Sequence, residues 1–136
     1  MVTMCDSVVV APSFLERMIS HAQSTFPLEC CGVLGGKKSV VTSVYPLTND
    51  LASPTQYFAN PKEMFQAARK MREKSENMIG IYHSHPHGPS TPSLTDQEKN
   101  YYPGLFYFII SLAEAEPVVR CFVMSEQGIF SPIPIV

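Results

Sequence analysis

No apolar run in this chain is long enough to cross a bilayer. The longest, Leu105 to Ala113, is interrupted by Ser111 and falls far short of the ~20 residues a membrane helix needs. The N-terminus lacks a basic stretch ahead of an apolar one, and Asp6 stands early in it. It therefore carries no sign of a secretory leader, and a cytoplasmic location is expected. Neither sign of charge dominates: the formal net charge is -2, which gives no electrostatic footprint for nucleic acid or an anionic membrane. Cys-x-x-Cys pairs are also missing. Of Cys5, Cys30, Cys31 and Cys121, only two are adjacent, and neighbouring thiols do not readily grip one tetrahedral ion. The four read as buried thiols behaving as small hydrophobes rather than as a disulfide framework. Repeats, low-complexity tracts and Ser/Gly linkers are absent too. The 136 residues, 45% hydrophobic and 16% charged, read as one domain spanning 1–136 with an ordinary globular core.

Hydrophobic spacing gives the elements. Ser7 to Val10 reads as a short strand. Pro12-Ser13 opens a helix, with Ser13 and Glu16 spaced as a capping box and Phe14, Leu15, Met18, Ile19 and Ala22 on its apolar face. Phe26-Pro27 ends it. Cys31 to Leu34 and Ser39 to Tyr45 read as strands joined by a turn at Gly35-Gly36-Lys37-Lys38. Asn49 to Pro54 is loop, with an extended piece around Gln56 to Phe58. Asn60-Pro61 starts a second helix whose inner stripe is Met64, Phe65, Ala67, Ala68 and Met71. Met78 to Tyr82 is a strand, Gly88 to Pro92 a loop, and Ser93 to about Tyr101 a short helix. Leu105 to Leu112, Pro117 to Met124 and Gly128 to Ile135 complete the set as strands. The expected fold is α/β: a single mixed, largely antiparallel β-sheet packed by helices.

The chemistry gathers where the Met78 to Tyr82 strand ends. His83 and His85 lie two residues apart, so on an extended backbone both imidazoles point to one face. Asp96 follows, three residues after Ser93. Two imidazoles and a carboxylate suit zinc, and three protein ligands leave a fourth position for water, the arrangement of a hydrolytic rather than a structural site. Ser93-x-x-Asp96 also has the spacing of a helix cap. The two readings are compatible, because a capped first turn can aim Asp96 at a metal. A hydrolase also needs a proton-transfer group. No carboxylate adjoins the histidines, so the candidate is Glu29, between the first helix and the sheet.

Glu29 followed by His83-x-His85-x7-Ser93-x-x-Asp96 resembles the complete motif of the JAMM (MPN+) metalloprotease family. Ser84 and Pro86 in His-Ser-His-Pro, and Pro92 before Ser93, fit as well. The resemblance implies a cytidine-deaminase-like sandwich and one Zn2+ per chain held by His83, His85 and Asp96. It further implies Glu29 as general acid/base and Ser93 as the group that orients water and stabilises the oxyanion. It implies hydrolysis after the C-terminal Gly-Gly of a ubiquitin-like or sulfur-carrier (β-grasp) protein. The chain is near the minimal length of that fold and has no long insertion between His83 and Asp96, which is most similar to compact prokaryotic members. Glycines let an extended tail approach a metal closely, and an exposed strand edge is expected to bind it by β-augmentation.

Two other functions compete. A non-catalytic MPN-type binding module or scaffold would hold a ubiquitin-like partner without cutting it. A zinc deaminase would need His-x-Glu followed by Pro-Cys-x-x-Cys, which is missing. Among neighbouring residues, His87 would close the open metal position if it bound, so it is not expected to. His21 is expected to face solvent. Thr95 and Gln97 are candidates to hydrogen-bond Asp96.

Overall fold

A computed structural model of the chain describes residues 7–99 and 102–136. Cys5, and Tyr101 as the end of the third helix, lie outside the described residues. In chain order the elements are α1 (Pro12–Thr25), β1 (Cys31–Lys37), β2 (Val40–Leu47), α2 (Pro61–Glu73), β3 (Asn77–His85), α3 (Leu94–Lys99), β4 (Phe106–Ser111), β5 (Val118–Met124) and β6 (Phe130–Ile133). The strands form one sheet in the order β2-β1-β3-β4-β5-β6. Only β3 and β4 run parallel; every other pair is antiparallel.

Period-two alternation sorts the sheet's side chains into two cores. Cys30, Leu34, Tyr82, Phe108 and Ile110 meet Met18 and Ala22 of α1 on one face. Cys31, Val33, Ile81, Tyr107 and Ile109 meet Ala67 and Met71 of α2 on the other. β3 and β4 are covered on both sides, as a parallel pair requires.

The structure corrects several expectations. Ser7 to Val10 is not a strand of the sheet. Val8 and Val9 make isolated pairs with Ile135 and Val40, so this segment stitches the start of β2 to the 134–136 segment. The N-cap of α1 is Ala11, without a side-chain hydrogen bond. Pro12 occupies the first helical position, which puts Ser13 inside the first turn and leaves it and Glu16 exposed. β1 runs past Leu34 to Lys37, and the turn falls at Lys38-Ser39, with Lys38 at φ 57°. Gly35 and Gly36 therefore belong to a bulged strand. A Cβ on Gly36 would lie 2.1 Å from the Val40 carbonyl oxygen, so that glycine permits close approach of the strands rather than a turn.

α2 begins as its sequence suggests, with the Asn60 side chain accepting the Glu63 N–H and Pro61 next in line. Its inner stripe is narrower than expected: Met64 is half-buried and Ala67 and Met71 are buried, but Ala68 is exposed and Phe65 is 65% exposed. Positions 64, 67 and 71 follow one helical face, whereas 65 and 68 lie a turn of about 100° away from it.

Tyr82 fills the space above Gly32, its register partner on β1. A Cβ there would sit 2.2 Å from the tyrosine ring, and Tyr82 is fully buried. Gly32→Ala is expected to cost roughly 2 kcal/mol through overpacking, measured by urea unfolding. An unchanged midpoint would mean that the ring has room to move aside.

Candidate metal centre

β3 continues as strand through His85, three residues beyond the expected end, and is buried almost throughout. Ile81, His83 and His85 share the α2 face, so the imidazoles project from the sheet's second core. Their Nε2 atoms are 3.0 Å apart. Asp96 closes the triangle, with Oδ1 3.1 Å from His83 Nε2 and Oδ2 2.9 Å from His85 Nε2. All three residues are buried.

Asp96 is aimed by a reciprocal cap. Its N–H donates to Ser93 Oγ at 3.0 Å, and the Ser93 N–H donates to Asp96 Oδ2 at 2.8 Å. The short helix α3 thus starts with its first carboxylate fixed against the histidines. The loop between them is pinned in turn: Ser111 Oγ donates to the Gly88 carbonyl at 2.6 Å, and Arg120 Nε donates to Ser90 Oγ at 2.9 Å. This holds the Pro89 carbonyl 2.6 Å from His85 Nδ1.

That contact tests whether a cation fits. A carbonyl oxygen can only accept, so Nδ1 of His85 carries the hydrogen and a neutral ring turns its Nε2 lone pair inward. It then faces a carboxylate and a second imidazole nitrogen. The ligand atoms of His83, His85 and Asp96 all lie within 4.8 Å of one another. Three Lewis bases so placed repel unless positive charge sits among them, and the donor set suits zinc. When no ion is bound, a proton on the imidazoles can supply that charge. Burial works to raise the Asp96 carboxyl, but hydrogen bonds from His83 and His85 hold it far below the usual carboxylate range. Burial pulls the His85 imidazole down, yet Asp96 and the Pro89 carbonyl push it above its ordinary value. His83, fully buried, is lowered by desolvation despite Asp96.

Glu29 is a second carboxyl, electrostatically coupled to His85 and Asp96. It is only 4% exposed, and its Oε1 has no hydrogen-bond partner among the described residues. Burial drives its carboxyl up to about 8, with His85 opposing and Asp96 adding to the rise. Beside the centre lies a mainly apolar cavity of about 490 Å3, lined by residues including Leu47, Leu51, Tyr57, Phe58, Met64 and Tyr107 and reaching Asp96.

Residues 11–125 match the family model described as prokaryotic homologs of the JAB domain. The chain belongs to this family. A desampylase of Haloferax volcanii is 34% identical over 103 residues, covering 71% of this chain and 74% of that protein. A CysO-cysteine peptidase of Mycobacterium tuberculosis is 32% identical over 106 residues, covering 76% and 73%. The solution structure of protein DSY2949 from Desulfitobacterium hafniense superposes with a TM-score of 0.87 at 36% identity, over 95% of this chain and 91% of that one.

In this JAB domain the sequence reading missed three residues around the centre. Tyr57 stacks on His83, with ring centroids 4.8 Å apart, and Tyr107 meets the same ring edge-on at 5.3 Å. The two hydroxyls are 3.2 Å apart. The alternation of β4 could have flagged Tyr107; Tyr57 and the Pro89 carbonyl lie in irregular segments that carry no such signal. His21 is not solvent-facing as expected: it is half-buried, with Nδ1 2.8 Å from the Tyr82 hydroxyl. Thr95 lines the cavity and Gln97 is exposed, and neither hydrogen-bonds Asp96. His87 packs edge-on against Phe26, outside the ligand group. Cys30, Cys31 and Cys121 are free and buried. No helix among the described residues is long and apolar enough to cross a membrane.

The buried carboxyl yields a pH test. Unfolded, Glu29 ionises near 4.5; folded, near 8. The folded state is therefore favoured below the first value and loses that advantage as pH rises through the second. In chelator-treated protein, Glu29→Gln is expected to melt at the parental temperature near pH 4.5 and several degrees higher near pH 8. A pH-independent gap between the two melting curves would mean that the carboxyl is not desolvated.

Proposed function

We propose that this chain is a zinc-dependent peptidase that hydrolyses the bond following the C-terminal Gly-Gly of a ubiquitin-like or sulfur-carrier (β-grasp) protein. The observation that carries this reading is the convergence of His83, His85 and Asp96; Glu29, a buried carboxyl with an oxygen unpartnered among the described residues, supports it through its electrostatic coupling to His85 and Asp96. The names of the relatives, a desampylase and a CysO-cysteine peptidase, point to protein tails as the substrate class.

His83, His85 and Asp96 would hold the ion. Zinc bound there supplies Lewis acidity, which polarises a carbonyl and acidifies water. The protein's own residues do the rest. Glu29 takes a proton from the attacking water and delivers it to the nitrogen of the leaving amine; a carboxyl raised towards neutrality suits both halves of that transfer. The bond between the glycine carbonyl carbon and that nitrogen breaks as the new carbon–oxygen bond forms. Ser93 Oγ accepts from the Asp96 N–H, which leaves its own hydrogen available to the oxyanion that develops on the carbonyl. Side chains are absent from the last two residues of a Gly-Gly tail, so its backbone can lie close to the buried ligands.

The test is cleavage of a β-grasp carrier extended beyond its Gly-Gly, read by intact-protein mass spectrometry. Zinc-loaded parent is expected to remove the extension after the second glycine. Glu29→Gln should keep one zinc and lose about 10²–10⁴-fold in turnover. His85→Ala and Asp96→Ala should lose the metal on dialysis, measured by elemental analysis. Stable carrier binding with zinc loaded and no turnover would replace the peptidase with a binding module.

A further inference from the structure

The Asn49 side chain makes four hydrogen bonds, all to backbone. Nδ2 donates to the carbonyls of Glu29, at 3.1 Å, and Gln56, at 2.9 Å. Oδ1 accepts from the N–H groups of Leu51, at 3.1 Å, and Phe58, at 2.9 Å. A carboxamide has two N–H donors and two acceptor lone pairs, so its capacity is filled. The orientation is fixed by chemistry, because a flipped amide would set its donors against two N–H groups and its acceptor against two carbonyls.

The partners fall into two groups. Leu51, Gln56 and Phe58 line the apolar cavity. Glu29 is the buried carboxyl. The loop also grips Glu29 from its other side, with the Glu29 N–H donating to the Ser53 carbonyl at 2.9 Å. β1 begins only at Cys31, so neither backbone polar group of Glu29 takes part in the sheet ladder. Both are held by the 49–58 loop. The same loop carries Tyr57, whose ring stacks on His83.

We propose that Asn49 is a positioning residue that ties the wall of the apolar cavity to the backbone of Glu29, so that the surface receiving the substrate tail and the proton-transfer group are set by one side chain. This rests on the peptidase reading above. Asn49 makes none of its side-chain hydrogen bonds to the three metal-ligand residues, so its removal is directed at the base and the tail rather than at the ion.

Asparagine and aspartate differ at this position in a useful way. Asn49→Asp keeps the acceptors for Leu51 and Phe58 but loses both donors, including the one to Glu29; Asn49→Ala loses all four bonds. With an extended β-grasp carrier, Asn49→Asp is expected to lower kcat about 10–100-fold with a small rise in KM from the lost Gln56 bond, whereas Asn49→Ala lowers kcat as much and raises KM further. Zinc affinity, by chelator competition, should stay at the parental value in both. In metal-free protein, amide hydrogen exchange should quicken at Glu29 in both variants, and at Leu51 and Phe58 only in the alanine variant. Parental kcat in Asn49→Asp, with the parent active, overturns the positioning role alone. A parallel loss of zinc affinity, kcat and global stability in both variants overturns it in favour of general structural support. An inert zinc-loaded parent overturns the peptidase reading and the positioning role together.

Discussion

The ladder between β1 and β3 is what the rest of the site hangs from. Cys31 pairs with His83, and one step further the ladder continues through a side chain: the Cys30 N–H donates to Ser84 Oγ at 2.8 Å while the Ser84 N–H donates to the Cys30 carbonyl. That step fixes the residue after Glu29 against the residue between the two histidines. The residue that follows the carboxyl and the strand that carries the imidazoles, more than fifty positions apart in sequence, are therefore registered by a few hydrogen bonds in the middle of a sheet, while the 49–58 loop holds the Glu29 backbone itself. β4 completes the support from the other side, its parallel pairing carrying Ile109 beside His83 and Ser111 beside His85.

Electrostatically the centre is built from opposites. Asp96 is held ionised by two imidazoles and a backbone N–H. Glu29, as deeply buried, is raised by that desolvation, with one oxygen unpartnered among the described residues, and so retains its proton to a higher pH. Two carboxylates of nearly the same chemistry are driven apart by the number of donors that reach them. One is held ionised and the other keeps its proton to a higher pH.

Much of this was legible in the chain. His83-x-His85 on an apolar strand predicts a shared face because strand alternation is a local rule, and Ser93-x-x-Asp96 predicts a cap for the same reason. Both the mixed sheet and the helix starting at Asn60-Pro61 follow from spacing alone. The departures have tertiary causes. Gly35-Gly36 reads as a turn, yet both lie in a strand, and Gly36 lets it crowd its neighbour at Val40. Phe65 reads as core by composition, yet the helix turns it to the surface. Tyr57 and Asn49 sit in a segment without periodicity, and only their contacts across the fold reveal what they hold.

The cysteines beneath the centre have a chemical consequence. Cys31 lines the cavity and pairs with His83, but burial pushes its thiol up to about 12, and that of Cys30 to about 11. The thiolate is the form that peroxides attack and soft metals seek, and at neutral pH almost none is present. Cys31, on the face of the imidazoles, and Cys30, on the opposite face, are thus held by desolvation as thiols at neutral pH, the form that peroxides attack slowly.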